Sequence, residues 1–284
     1  MKLVVDSGST KTDWGFFSTI SDLRVFKTQG INPCHQNPDD INAIIKEELL
    51  TQTGALDTGT VNELFYYGAG CATESICQQM ADILKVYFPN AAIMVDSDML
   101  GAARALCGHS EGVACVLGTG SNSCLYNGKE IVDQVPSLGY ILGDEGSSAA
   151  LGCRFVSDCL KRQLPETVSK EFMTRYSLTK DIIIENVYRK PMPNRYIAGF
   201  APFIYEKRTV PEVHKLIIQC FSEFFTRNVI SYHKPWMPVH FIGSQANSFA
   251  EELKETADSL GMTIGRIETS PMNGLVDYHA TDNA

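Results

Sequence analysis

The 284-residue chain is short of basic residues: 24 Lys and Arg stand against 33 Asp and Glu, a formal charge of −9. Gripping nucleic acid or an anionic membrane takes clustered Lys and Arg, so neither is expected as a partner. Long apolar runs are missing too. None approaches the roughly 20 residues of a membrane helix, and Leu3-Val4-Val5 is too short for the apolar segment of a secretion signal. The nine cysteines are odd in number, scattered and free of CxxC pairs, which argues against a zinc knuckle or a disulfide framework. They read as mostly buried, reduced thiols of a cytoplasmic protein. The six histidines are dispersed and signal no metal cluster. The G-x-x-x-x-G-K-[ST], G-x-S-x-G and H-E-x-x-H motifs are absent. Gly68-Ala69-Gly70 approaches G-x-G-x-x-G, but Thr73 stands where the last glycine belongs. What is present is ordinary globular stock, 44% hydrophobic and 20% charged, which excludes wholesale disorder. The length suits two domains.

The opening segment reads as three strands, Leu3–Asp6, Lys11–Phe17 and Leu23–Thr28, joined by short Gly/Ser turns as hairpins. A helix is predicted over Pro38–Leu50, with Ile41, Ile44, Ile45 and Leu49 on its inner face. Strand and helix then alternate: Glu63–Tyr67, Glu74–Tyr87, Ala92–Val95 and Met99–Leu106. The pattern restarts with strands at Gly112–Leu117, Ser123–Tyr126 and Ile131–Val135, the last two joined at Asn127-Gly128, a hairpin signal. Residues 147 to 232 read as mainly helical, followed by a strand Val239–Ile242, a helix Asn247–Leu260 with Phe249, Leu253, Ala257 and Leu260 inward, a strand Met262–Ile267 and a helix Met272–His279. A meander leading into strand–helix units, occurring twice, predicts an α/β fold of two similar domains, 1–109 and 110–284, facing a cleft, the second with a helical insertion. The Phe-rich helix from Val210 to Tyr232 suits packing within the fold or between the subunits of a homodimer.

Chemistry concentrates in the turns. Asp6-Ser7-Gly8-Ser9-Thr10-Lys11-Thr12-Asp13 occupies the first. Small residues let a ligand approach the backbone and leave N–H groups for phosphate oxygens, while Ser and Thr add hydroxyl donors. Asp6 at the strand end could hold Mg²⁺ through water. Leu117-Gly118-Thr119-Gly120-Ser121-Asn122-Ser123 is the equivalent turn of the second half. Gly143-Asp144-Glu145-Gly146-Ser147-Ser148 opens a helix, with Ser147 or Ser148 as its N-cap. Asp144 could bind a ligand or merely complement the helix end. Asp98 could accept a proton from a substrate hydroxyl, and either Asp96 or Asp98 could cap the helix beginning there. Gly243-Ser244-Gln245-Ala246-Asn247-Ser248 joins a strand to a helix where phosphate or ribose could sit.

As a set these residues resemble a known superfamily. Asp6 to Thr12 resembles the first phosphate motif of the actin-like ATPase superfamily of sugar kinases, heat-shock proteins and actin. Leu117 to Ser123 resembles its second phosphate motif and Ile242 to Ser248 its adenosine motif. The order is right and the resemblance spans essentially the whole chain. It is nearest to the branch of N-acetylglucosamine kinases and BadF/BadG-type ATPases, in which Gly118-Thr119-Gly120-Ser121-Asn122 and Gly143-Asp144-Glu145-Gly146-Ser147 are fairly specific.

The resemblance implies two RNase H-like (actin-like ATPase) domains, ATP and Mg²⁺ in the cleft, and phosphorylation of an amino-sugar hydroxyl. Asp98 matches the base of these kinases. Asn32 in Gly30-Ile31-Asn32-Pro33, Asp144 and Gly70 match sugar contacts. Ser9, Thr10, Lys11, Gly118, Thr119 and Gly120 match phosphate contacts, and Ala198, Gly243, Ser244 and Ser248 fall in segments lining the nucleotide. Asp6 matches the metal position. The kinases carry a Gly-Trp pair where Ser137-Leu138 stands here, and by that place the resemblance implies Ser137 and Leu138, with Asp98, among the sugar contacts. Two alternatives stay open at this point: an ATPase that activates a reductase or dehydratase through an iron–sulfur cluster, and a catalytically silent sugar sensor. A small-molecule sugar is the expected partner.

Overall fold

The structure, a computed structural model, describes residues 1–8, 10–54 and 57–281. It divides into two compact units. The first takes residues 1–110, with the hairpin tip 128–130 and everything from Ser270 onward; the second takes the rest.

The first unit is built on a five-stranded sheet. Its strands are β1 (Lys2–Ser7), β2 (Lys11–Phe17), β3 (Arg24–Gln29), β4 (Glu63–Gly68) and β5 (Ala92–Ser97), in the order β3-β2-β1-β4-β5. The three N-terminal strands form an antiparallel meander, whereas β1–β4 and β4–β5 pair in parallel. Parallel neighbours need a crossover, and the helices over 38–53 and Glu74–Tyr87 supply it. Leu3, Val5, Trp14 and Phe16 on the strands meet Ile41, Ile44, Ile45 and Leu49 on the first crossover, all buried. The predicted inner face is therefore the observed one, although the helix widens into a π-helical turn over Ile44–Leu49.

The second unit repeats this topology with β6 (Glu111–Leu117), β7 (Ser121–Asn127), β8 (Ile131–Asp133), β9 (Val239–Ile242) and β10 (Ile264–Glu268), ordered β10-β9-β6-β7-β8. Between β8 and β9 lie the helices of residues 139–232. Their core is aromatic: Phe155, Phe172, Phe203, Phe221, Phe224 and Phe249 are buried together, several of them edge-to-face, as in Phe155 against Phe172 at 5.2 Å. The helix Pro211–Phe224 buries Val213, Leu216, Ile217, Cys220, Phe221 and Phe224 in this core, so its apolar face is occupied inside the unit. Two expectations are corrected. The helix predicted from Asn247 begins at Ser244 and breaks at Phe249, and Leu260 lies outside, 37% exposed at the C-cap. No helix among the described residues is long and apolar enough to cross a membrane.

The C-terminal helix, Met272–Thr281, packs on the first unit, where a division by sequence order would have carried it with the second. Its Gly274 lies so close to the helix Asp98–Cys107 that a Cβ there would stand 2.3 Å from the Ala105 carbonyl oxygen. His279 is buried against Phe65, ring centroids 3.6 Å apart, and its Nε2 lies 2.8 Å from the Tyr67 hydroxyl. Arg104 donates from Nη1 to that same hydroxyl at 2.8 Å, so one oxygen serves both partners. Burial, with Arg104 and Lys2 nearby, lowers the His279 pKa to about 3 and keeps the ring neutral. The last helix thus clamps the helix that begins at Asp98. Gly274→Ala should destabilise the first unit by about 1–3 kcal/mol, the usual cost of overpacking. A lower urea midpoint checks this, with Gly118→Ala as the comparison, because nothing lies within 4 Å of a Cβ at Gly118.

Candidate functional site

In the first unit the register is Ser7 beside Gly68 and Gly68 beside Ser97. The C-terminal ends of β1, β4 and β5 are therefore level, and the residues just past each strand collect at one edge of the sheet. Asp6 closes β1. Asp98 opens the helix after β5, whose N-cap is Ser97, its hydroxyl accepting from the Leu100 N–H at 3.2 Å. Neither Asp96 nor Asp98 caps this helix, contrary to the expectation. Asp96 accepts from the Ser97 N–H at 2.7 Å, and the Asp98 carboxylate takes hydrogen bonds from the Met99 N–H and its own.

The turn carrying Asn32 is tied to the same edge. Ser7, fully buried, donates to the Ile31 carbonyl at 2.9 Å and lies 2.8 Å from the Thr12 hydroxyl. Asn32 backs onto Gly70, where a Cβ would stand 2.3 Å from the Asn32 Oδ1; with φ at +84° as well, the position suits only glycine. Asn32, Gly70, Asp6, Lys11 and Asp98 are thereby brought together. Thr10 is exposed at the tip of the β1–β2 turn. Ser9 lies outside the described residues.

The electrostatics of this edge are unfavourable to charge. Asp6 is pushed up to about 7 by burial first, then by Asp13 and Asp98, with Lys11 pulling the other way. Asp98 is also raised, chiefly because protein crowds around it, against opposing hydrogen bonds from the Met99 N–H and its own. A carboxylate with raised proton affinity is better suited to accept a hydroxyl proton near neutrality.

At the turn after β6 the second unit offers backbone donors. Gly118 and Thr119 turn their carbonyls toward the helix Ser148–Leu160, accepting from the Ser148 and Ala149 N–H groups at 2.9 and 3.2 Å. A trans peptide holds its C=O and N–H on opposite sides. The N–H groups of Thr119 and Gly120 therefore point away from that helix, where an anion could meet them. Ser147 caps the helix, accepting from the Ala150 N–H at 3.1 Å.

Asp144 adopts the left-handed conformation, φ 58°. Its Oδ1 accepts from the Ser121 N–H at 3.1 Å beside Gly120. Burial raises its pKa, the Ser121 N–H lowers it and Glu145 adds to the rise. Glu145 is held by Arg227 at 2.9 Å. Ser137 donates to the Ser121 carbonyl at 3.2 Å, and Leu138, 56% exposed, stands by Gly143. Gly243 passes over the end of β6 with φ +123°, and a Cβ there would lie 2.3 Å from the Leu117 carbonyl oxygen. Gly118, Thr119, Gly120, Ser137, Leu138, Asp144, Gly243 and Ser244 thus form one set. Ala198 joins it only indirectly, through Ile197 packed on Gly152. Ser248 is exposed at the far end of the short helix Ser244–Ser248.

Two residues escaped the sequence reading. Gln245, 2% exposed, accepts from the Ser148 hydroxyl at 2.7 Å and ties the two helix starts together; nothing in its spacing marks it. Asp13 lies opposite Asp6 across the hairpin. Counting symmetrically outward from the turn would have found it.

No protein-family model matches the chain, and no curated protein does. Solved structures do. A Porphyromonas gingivalis protein provisionally designated an N-acetylglucosamine kinase is 45% identical, with 100% of each chain covered and a TM-score of 0.94. A Chromobacterium violaceum protein of the same provisional designation is 16% identical over 98% of this chain and 99% of its own, TM-score 0.71. A Streptomyces griseus ROK family glucokinase in complex with glucose and AMPPNP is 13% identical, covering 98% and 97%, TM-score 0.59. The last two likenesses concern the fold alone.

The raised pKa of Asp6 has a consequence for stability. Between about pH 4 and 7 the folded state holds a proton on Asp6 that the unfolded chain has lost, so this residue's contribution falls as pH rises through that window. Asp6→Asn should therefore raise the urea midpoint relative to wild type at pH 8. The difference should shrink toward zero at pH 4, as paired denaturation curves would show.

Proposed function

The chain belongs to the N-acetylglucosamine kinase-like family, and we propose that it is an ATP-dependent sugar kinase acting on a hydroxyl of an amino sugar, N-acetylglucosamine or a close relative. The observation that carries this reading is the gathering of Asp98, Asn32, Gly70 and Asp6 at one sheet edge, with the proton affinity of Asp98 raised.

In this reading Asn32, fixed by Gly70 and the Ser7–Ile31 bond, orients the sugar. Asp98 takes the proton of the attacking hydroxyl as it approaches the γ-phosphate. In the first unit Thr10 and Lys11 suit phosphate oxygens; the second unit, taken by itself, offers such oxygens the outward N–H groups of Thr119 and Gly120. Asp144 has a carboxylate oxygen to offer a sugar hydroxyl. Gly243 and Ser244 suit the ribose side of the nucleotide. Phosphoryl transfer asks mainly for positioning and charge stabilisation, and an acidic chain meets that need with backbone and hydroxyl donors.

Mg²⁺ takes oxygen ligands and keeps several waters. The donors at the β1 end are carboxylate oxygens in a patch rich in negative charge, so they fit. Asp6 would hold the ion, which when bound offsets the charge of the β- and γ-phosphates.

An ADP-release assay across hexoses, hexosamines and N-acetylated sugars tests the reading. Release is expected with an N-acetylated or free amino sugar and little with unsubstituted hexoses. Silence across the whole panel would favour a sensor. Asp98→Asn should lower kcat by about 10²–10⁴, the range for loss of a general base, while nucleotide affinity measured by calorimetry stays near wild type.

A further inference from the structure

Gln245 has no part in the kinase reading. It lies just after Gly243, on the short helix Ser244–Ser248, and is 2% exposed. Its Oε1 accepts from the Ser148 hydroxyl at 2.7 Å, while its Nε2 is buried and finds no hydrogen-bond partner among the described residues. Burying an amide with one end unpaired is costly, and an apolar side chain of similar size would avoid that cost. For packing alone, glutamine is a poor choice here.

Ser148 holds on in two directions. Its N–H donates to the Gly118 carbonyl at 2.9 Å and so fixes the turn after β6. Its hydroxyl is not needed as a cap, because Ser147 caps the helix Ser148–Leu160, and it goes to Gln245 instead. The turn at Gly243 meets the same region a second time, since a Cβ at Gly243 would stand 2.3 Å from the Leu117 carbonyl oxygen. That contact is steric. It limits how near the two turns come, but not how they are angled, whereas the Ser148–Gln245 hydrogen bond is directional. All of these residues belong to the second unit.

We propose that Gln245 is a positioning residue: through Ser148 it keeps the Gly243-Ser244 turn and the Gly118–Gly120 turn in one fixed relation, so that a single nucleoside di- or triphosphate engages the ribose-side turn and the phosphate-side amides at once. Gln245 acts through Ser148 and not on the reacting atoms. The inference rests on the nucleotide half of the kinase reading and adds to it the residue that aligns the two turns. The unpaired Nε2 accompanies the useful oxygen at the other side of the same amide. A small loss of stability retained at a site that must be held in shape is a recognised trade-off between folding and function.

Calorimetric titration with ADP, alongside urea denaturation, tests this on wild type, Gln245→Leu, Ser148→Ala and the double variant. Each single variant should bind ADP about five- to tenfold more weakly than wild type, and the double variant no more weakly than either, because one bond cannot be lost twice. Urea midpoints should follow a different order. Gln245→Leu removes the unpaired amide and frees the Ser148 hydroxyl to bond a carbonyl of the preceding turn, so its midpoint should equal or exceed that of wild type. Ser148→Ala leaves both ends of the buried amide unpaired, so its midpoint should fall. A purely structural role would move affinity and midpoint together. ADP bound by Gln245→Leu as tightly as by wild type, losses that add in the double variant, or a midpoint that falls in Gln245→Leu along with its affinity would each overturn the proposal. ADP release with amino sugars is measured in parallel. Sugar turnover by wild type, with ADP affinity indifferent to Gln245, defeats the positioning role alone. ADP affinity that depends on Gln245, with no turnover on any sugar, defeats the sugar-kinase reading alone. Wild type that binds no ADP defeats both.

Discussion

The chemistry of the first unit depends on strand register. Hydrogen-bonded parallel pairing puts Ser7, Gly68 and Ser97 side by side, so the ends of β1, β4 and β5 cannot drift relative to one another. A slip of one residue in β1 would carry Asp6 to the other face of the sheet and bring a core residue to the site. The core guards against that slip, because Leu3 and Val5 must face the crossover helices while Asp6 faces the edge. The helix Asp98–Cys107 is fixed from its far side as well. Gly101 lies against the Tyr67 ring, where a Cβ would stand 2.7 Å away, and Gly274 lies against Ala105. Tyr67, Arg104 and His279 then join β4, the helix Asp98–Cys107 and the C-terminal helix through one shared hydroxyl.

This precision works against stability. Asp6 is buried, with Asp13 opposite it and Asp98 acting on it as well, and the result is a carboxyl raised to about 7. A sequence selected for folding alone would place an opposite charge or an apolar pair across that hairpin. Strong pKa perturbation by burial and like charge is a mark of functional sites, and here it coincides with the resemblance to a kinase base and metal position. Asp144 combines two roles in a comparable way in the second unit. It takes a left-handed backbone conformation that Asp tolerates better than most residues, and in that pose its carboxylate caps the Ser121 N–H while its carbonyl accepts from Ser147.

Most of the fold was legible because alternating and helical apolar periods were clean. The meander, the crossover helices and the Asn127-Gly128 hairpin stand where the pattern put them, the first crossover helix running on to Thr53. What was not legible depended on tertiary contacts. The return of the last helix to the first unit rests on Gly274, Gly15 and His279 finding partners far away in sequence. The π-helical turn at Ile44–Leu49 keeps its apolar side chains inward without any signature of its own. Asn32 and Gly70 stand out through a motif, but their mutual contact belongs to the folded chain. The Ser97 cap was hidden between two aspartates, each a good capping residue. Asp13 is written in the first motif, but only counting outward from the turn pairs it with Asp6, because strand pairing sets it there.

The duplicated topology serves two opposite electrostatic tasks. After β1 the sheet edge carries carboxylates, which suit a cation and a proton to be removed. After β6 the equivalent turn, Gly118 to Ser121, carries no charged side chain, and its peptide groups are oriented by the helix Ser148–Leu160. That helix start is often an anion site in its own right. Here its first N–H groups are consumed by the Gly118 and Thr119 carbonyls, which transfers the donor role outward onto the Thr119 and Gly120 amides. The helix dipole thus acts through two peptide units instead of directly, and the loop is locked in the process. For a chain with nine more acids than bases, such fixed backbone donors are a way to hold a polyanion without lysines that would be drawn to the neighbouring carboxylates.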